Sequence, residues 1–143
     1  MTNTSAVKYE QEIPDVIQAL ASVHKVVSGQ GLDRTVVHLA QLRTSQINQC
    51  GHCIKMHTRE ARQDGETNDR LDRVIVWRHV SDFSEREKAA LAWTEALTEL
   101  RPDADFAPLR ARLREHFSDK EIGVLTSAVA LTNLWNRIQG SRH

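Results

Sequence analysis

The sequence predicts an all-α bundle of about six to eight helices, and three observations predict it. Apolar residues recur at three- and four-residue spacing along nearly the whole chain. Two Ser-x-x-Glu boxes, Ser84 to Glu87 and Ser118 to Glu121, each precede a long helical pattern. No segment alternates with period two between hairpin turns, which disfavours a thioredoxin-like α/β sheet.

Taken in order, Pro14 opens a helix of about four turns carrying Val16, Ile17, Leu20, Val23 and Val27, and Gly29 and Gly31 stop it. Asp33 caps a second helix with Val36, Val37, Ala40 and Ile47. This helix is expected to run directly into a cysteine-containing segment that breaks near Gly65. Leu71, Val74, Ile75 and Arg78 describe a short amphipathic helix. Ser84 starts a long helix to about Leu100, which Pro102 and the acidic run after it end. Phe106, Leu109, Leu113 and Phe117 mark another helix, and Ser118 starts a last one reaching about Ile138.

With 143 residues the chain is expected to form one domain, residues 1–143. Nineteen basic residues balance nineteen acidic ones, so no field concentrates polyanions and nucleic acid is not an expected partner. The segment Met1 to Glu12 lacks the apolar stretch of a secretion signal, and no apolar run approaches the roughly 18 residues that span a bilayer. The expected compartment is the cytoplasm, with no membrane partner. Both cysteines fall in one motif, so they are not a structural disulfide framework but a reactive or metal-binding pair.

That motif, Cys50-Gly51-His52-Cys53-Ile54-Lys55-Met56-His57, holds two thiols and two imidazoles. On a helix, Cys50, Cys53 and His57 project from one face, where the thiols can close a disulfide and His57 can accept a proton from Cys53. The positive end of a helix dipole near a cysteine also favours the reactive thiolate.

The blocks around the motif resemble the alkyl hydroperoxidase D-like branch of the carboxymuconolactone decarboxylase superfamily. They are Leu42-Arg43-Thr44-Ser45-Gln46-Ile47-Asn48-Gln49 before the motif, Thr58-Arg59-Glu60-Ala61-Arg62 after it, Trp77-Arg78, Glu85 to Trp93, and Asn133-Leu134-Trp135-Asn136-Arg137. Together they cover about residues 36 to 138. The resemblance implies an oligomeric helical subunit, a homotrimer or homohexamer, that acts as a thiol-dependent, peroxiredoxin-type peroxidase in antioxidant defence without a cofactor or metal. By that similarity Cys53 is the peroxidatic cysteine, and Cys50 is the resolving one, more open to a lipoyl or thioredoxin-like dithiol reductant. His57 and His52 match histidines of the family's site. A glutamate of the family's proton relay corresponds to His38, twelve positions before Cys50. An imidazole can be neutral, donate and accept where a carboxylate only accepts, so His38 is expected to pass a proton toward Cys50 or His57.

Other readings compete. Cys50, Cys53 and His57, with His38 or His52, could ligate zinc, although ligands compressed into adjacent turns of one helix cannot easily wrap a tetrahedral ion. A redox-sensing thiol protein without turnover is a further alternative, as is decarboxylase chemistry on a lactone, which by the resemblance does not use a Cys-x-x-Cys pair. Trp77, Trp93 and Trp135 read as packing or subunit contacts, and His24, His79, His116 and His143 receive no role.

Overall fold

The computed structural model describes residues 1–143 and contains helices but no strand. The α-helices are α1 (Tyr9–Glu12), α2 (Pro14–Ser28), α3 (Arg34–Ile47), α4 (Gly51–Gln63), α5 (Asn68–Arg73), α6 (Glu85–Glu99), α7 (Phe106–Arg114) and α8 (Asp119–Gly140); a 3-10 helix spans Val74–His79. Both Ser-x-x-Glu boxes form reciprocal caps, at the starts of α6 and α8. The Asp33 carboxylate accepts from the backbone N–H of Thr35 to start α3. No helix is long and apolar enough to cross a membrane.

α3 is the central element. Val36 and Ala40 join Trp93 of α6 and Leu125 and Val129 of α8 in one apolar cluster. Leu39 and Leu42 join Ala61, Leu71, Trp77 and Leu91 in a second. Burial on two sides explains why α3 is less amphipathic than a surface helix. Truncating Leu39 or Leu42 to Ala should cost about 2–5 kcal/mol.

Three sequence expectations change. α3 does not run directly into the thiol segment: Gln49 takes a left-handed conformation (φ 55°) and breaks the chain between the two helices. The expected helix over Leu71 to Arg78 divides into α5 and the 3-10 helix, with a non-helical Val76 (φ −116°, ψ 26°) inside the latter. Phe117 lies beyond the end of α7, yet still fills the first apolar cluster.

α2 lies on the flank of α8, and none of its residues is fully buried. The chain ends hold it there: the Tyr9 and Ser141 hydroxyls are 2.8 Å apart, and Arg142 donates to Glu10 at 2.6 Å.

Candidate active site

The end of α3 creates the site. Beyond Ile47, the N–H of Gln49 donates to the carbonyl of Gln46 and the N–H of Cys50 to that of Ser45, both at 3.1 Å. With Gln49 left-handed, this pair of bonds is a Schellman motif. Cys50, the last residue of that motif, is also the N-cap of α4, and its sulfur accepts from the backbone N–H of Cys53 at 3.3 Å. One residue thus closes one helix and opens the next. Cys53 stands in the first turn of α4, where free N–H groups favour negative charge on a sulfur. The two cysteines are joined by a disulfide, with their Cα atoms 5.2 Å apart.

His57 follows Cys53 by one turn on the buried face of α4. Its Nδ1 lies 3.3 Å from a Glu60 carboxylate oxygen. A carboxylate only accepts, so in this pair Nδ1 carries the hydrogen and Nε2 keeps a lone pair. Burial disfavours the charged imidazole more than Glu60 favours it, and holds the His57 pKa below its ordinary value.

A second Schellman motif ends α4: Gly65 takes φ 95°, its N–H donates to the carbonyl of Arg62, and that of Glu66 to Ala61. Gly65 is glycine for this reason, since a side chain there would be strained. The motif leaves Asp64 at the C-cap of α4, facing the start of α3. There Asp64 Oδ2 accepts from His38 Nε2 and from Arg34 Nε, both at 2.6 Å. These hydrogen bonds, His38's foremost, hold the Asp64 carboxyl below the usual carboxylate range.

Cys53, His57, His38 and His52 all line one cavity of about 490 Å³. Its lining also includes apolar side chains, among them Val27 of α2, Val37 of α3, and Leu131 and Trp135 of α8. Four of the five residues singled out in the sequence therefore converge there. The fifth, Cys50, does not line the cavity. Nor is Cys50 open: it is 1% exposed and Cys53 2%, because the helix junction wraps Cys50. His52 points away from the buried face of α4 and is exposed, yet borders the same cavity. Trp77 and Trp93 are core residues, but Trp135, read from sequence as a packing residue, belongs to the cavity wall. His24, Glu60, Asp64 and Asn136 were not singled out; only Glu60, one turn beyond His57, carried a local spacing signal. No three His, Cys, Asp or Glu side chains gather in a geometry that could hold a metal ion.

The fold and site define an all-helical protein with a Cys-x-x-Cys disulfide at a helix start, beside a histidine-lined cavity. The sequence pattern of the carboxymuconolactone decarboxylase family matches residues 14–96. The chain belongs to this family, in its alkyl hydroperoxidase D-like branch. The match begins earlier than the blocks seen in the sequence and takes in α2. Over 132 residues the chain is 33% identical to the uncharacterized protein YdfG of Bacillus subtilis, covering 92% of this chain and 90% of YdfG. A crystal structure of an Agrobacterium tumefaciens protein of unknown function, proposed as an antioxidant defence protein AhpD, superposes with a TM-score of 0.92 at 33% identity, over 97% of this chain and 95% of that one. Debrominase Bmp8 shares the fold, with a TM-score of 0.81 at 16% identity over 92% of this chain and 71% of its own.

Proposed function

We propose that this protein is a thiol-dependent peroxidase acting on an organic hydroperoxide, with Cys53 as the peroxidatic thiol. The observation that carries the proposal is the placement of Cys53: in the first turn of α4, one turn from a neutral His57, open to a cavity partly lined by apolar side chains and paired with Cys50. In the reduced protein His57 takes the Cys53 proton. The thiolate attacks the terminal oxygen of R–O–O–H; the S–O bond forms, the O–O bond breaks, and the leaving alkoxide receives that proton as R–OH. Cys50 then attacks the sulfenic sulfur, its proton leaves with the hydroxide as water, and the disulfide forms. An external dithiol, lipoyl or thioredoxin-like, returns both thiols and is itself oxidised to a disulfide. Because Cys50 is buried, that reductant must reach the pair through the Cys53 side or loosen the Asn48–Cys50 junction.

The exposed apolar residues Val16, Val23 and Val26 on α2, and Ile75 and Val76 on the 3-10 helix, support assembly into a homotrimer or homohexamer. A scattering mass equal to the 16.2 kDa monomer would refute assembly.

The function is tested by intact mass and thiol count of reduced protein before and after one equivalent of cumene hydroperoxide, with Cys53→Ser alongside. Loss of both thiols together, abolished in the variant, supports the peroxidase, and repeated turnover with a dithiol separates it from a sensor that oxidises once. Thiols unchanged by peroxide would end this reading. A brominated pyrrole assayed in parallel would move the assignment toward dehalogenation if it alone oxidised the pair.

A further inference from the structure

His38 is 6% exposed, and while its Nε2 is bonded to Asp64, its buried Nδ1 has no hydrogen-bond partner in the protein. Leaving such an atom unpaired is unfavourable, because it has given up water without gaining a partner. The residue lines the same cavity as Cys53, a space roomy enough for water or substrate. The atoms opposite are arranged at a cost too. Asp64 places a negative charge at the C-terminal end of α4, and Arg34 a positive charge at the N-terminal end of α3, each against its own helix dipole. They tolerate this because they neutralise one another across the antiparallel α3–α4 pair, and His38 is held between them and the cavity.

We infer that Asp64 is a positioning residue that fixes His38 with its hydrogen on Nε2, leaving Nδ1 as a bare acceptor for a proton released at the thiol site. The inference deepens the peroxidase reading and rests on it for its place in turnover. A carboxylate only accepts, so the short Nε2 contact sets the tautomer. When Nδ1 takes on from His57 the proton released by Cys53, directly or through a cavity water, the new charge on His38 faces the Asp64 carboxylate; the same proton is later returned through His57 to the leaving alkoxide. No net proton is consumed. Arg34 keeps Asp64 ionised and in place. The chain thereby offers a carboxylate two side chains deep: Asp64 stands behind His38, as Glu60 stands behind His57. The other titratable groups on the cavity are His24 of α2, His52 and His57 with Glu60 on α4, and Cys53; α8 contributes only uncharged residues.

The test measures the rate of Cys53 alkylation by iodoacetamide from about pH 5.5 to 9, on reduced protein in a Cys50→Ser background, with Asp64→Asn, Asp64→Glu, His38→Gln and the Asp64→Asn/His38→Gln pair. Asp64→Asn should slow alkylation at neutral pH about tenfold and move its midpoint to higher pH, since the base loses its counter-charge. Asp64→Glu should restore most of the rate, and the double variant should be no slower than His38→Gln. Histidine nitrogen NMR of the wild type needs no variant to fold and should find His38 protonated on Nε2. An Asp64→Asn profile superimposed on that of the parent, additive single effects, or a hydrogen on Nδ1 with Nε2 bare would each overturn the inference. Because alkylation uses no peroxide, a wild type that shows this pattern yet fails to consume peroxide upholds the pair and defeats only the peroxidase reading.

Discussion

The Asn136 side-chain amide of α8 donates to the Ser45 hydroxyl of α3 at 3.1 Å, a bond between residues 3% and 0% exposed. The Asn136 carbonyl accepts from Asn48 at 3.0 Å, and Asn48 also donates to Asn133 at 2.9 Å. Since the Ser45 carbonyl receives the Cys50 N–H, α8 braces the junction that sets the cysteines. Asn136→Ala strands the buried Ser45 hydroxyl and removes one of the two acceptors of the Asn48 amide, and should cost about 1–3 kcal/mol in urea unfolding. Ser45→Ala should cost less, and the two together less than their sum. Full additivity would show that the bond contributes nothing.

Arg70 ties α5 to α6. It donates to Glu66 at 2.8 Å, to the Asp82 carbonyl at 2.6 Å and to Glu87, and sits over the Phe83 ring. Burial pushes the Glu87 carboxyl up, but Arg70 and the Ser84 N–H outweigh it and hold it below its ordinary value. Arg70→Ala strands two largely buried carboxylates. Allowing for Arg70's partial exposure, the loss should be about 2 kcal/mol at neutral pH. It should shrink as pH falls toward about 4.5, where an unpaired Glu87 can take a proton while that of the wild type, its pKa lowered, stays ionised to lower pH. A loss independent of pH would place the effect in packing over Phe83 instead.

The caps at Ser84, Ser118 and Asp33 were legible because each is a local bond within three residues of its serine or aspartate. The Cys53–His57 spacing was legible for the same reason. The break before Cys50 was not, because Gln49 occupies a left-handed position that glycine usually announces. Val76 gave no breaker signal either, so α5 and the 3-10 helix read as one. Asp64 could not be found from spacing, since it meets His38 only after α3 and α4 fold back on one another, twenty-six positions apart. Trp135 and Asn136 lay in a recognised block, but that both line the cavity, Asn136 while bonded to Ser45, is decided by where α8 crosses α3. The shallow cover of α2, with Val16, Val23 and Val26 outward, likewise follows from tertiary placement and not from its helical period.

Cys50→Ser separates the two halves of the proposed cycle. With no resolving thiol, one equivalent of peroxide should add one oxygen to Cys53, about 16 Da, as a sulfenic acid that dimedone captures. The wild type should instead lose about 2 Da on closing its disulfide. Cys53→Ser should do neither. Oxygen uptake by Cys53→Ser at the wild-type rate would transfer the peroxidatic role to Cys50, whose absence from the cavity lining argues against it.

His57 makes stability depend on pH in a defined direction. Its folded pKa lies below the ordinary 6.5, chiefly through burial. Below about pH 6.5 the unfolded chain therefore binds a proton at this position more readily than the folded one, and stability falls as pH falls, by at most about 1.4 kcal/mol per pH unit. Above that pH both states hold the imidazole neutral and the contribution is constant. Glu60→Gln removes the charge that favours the imidazolium, so it should deepen the acid-side loss. His57→Gln should flatten this part of the profile, whatever it does to peroxide turnover. Urea midpoints between about pH 5 and 8 measure both; a His57→Gln curve parallel to the wild type would mean that the fall comes from other groups, and that His57 titrates alike in the folded and unfolded chain.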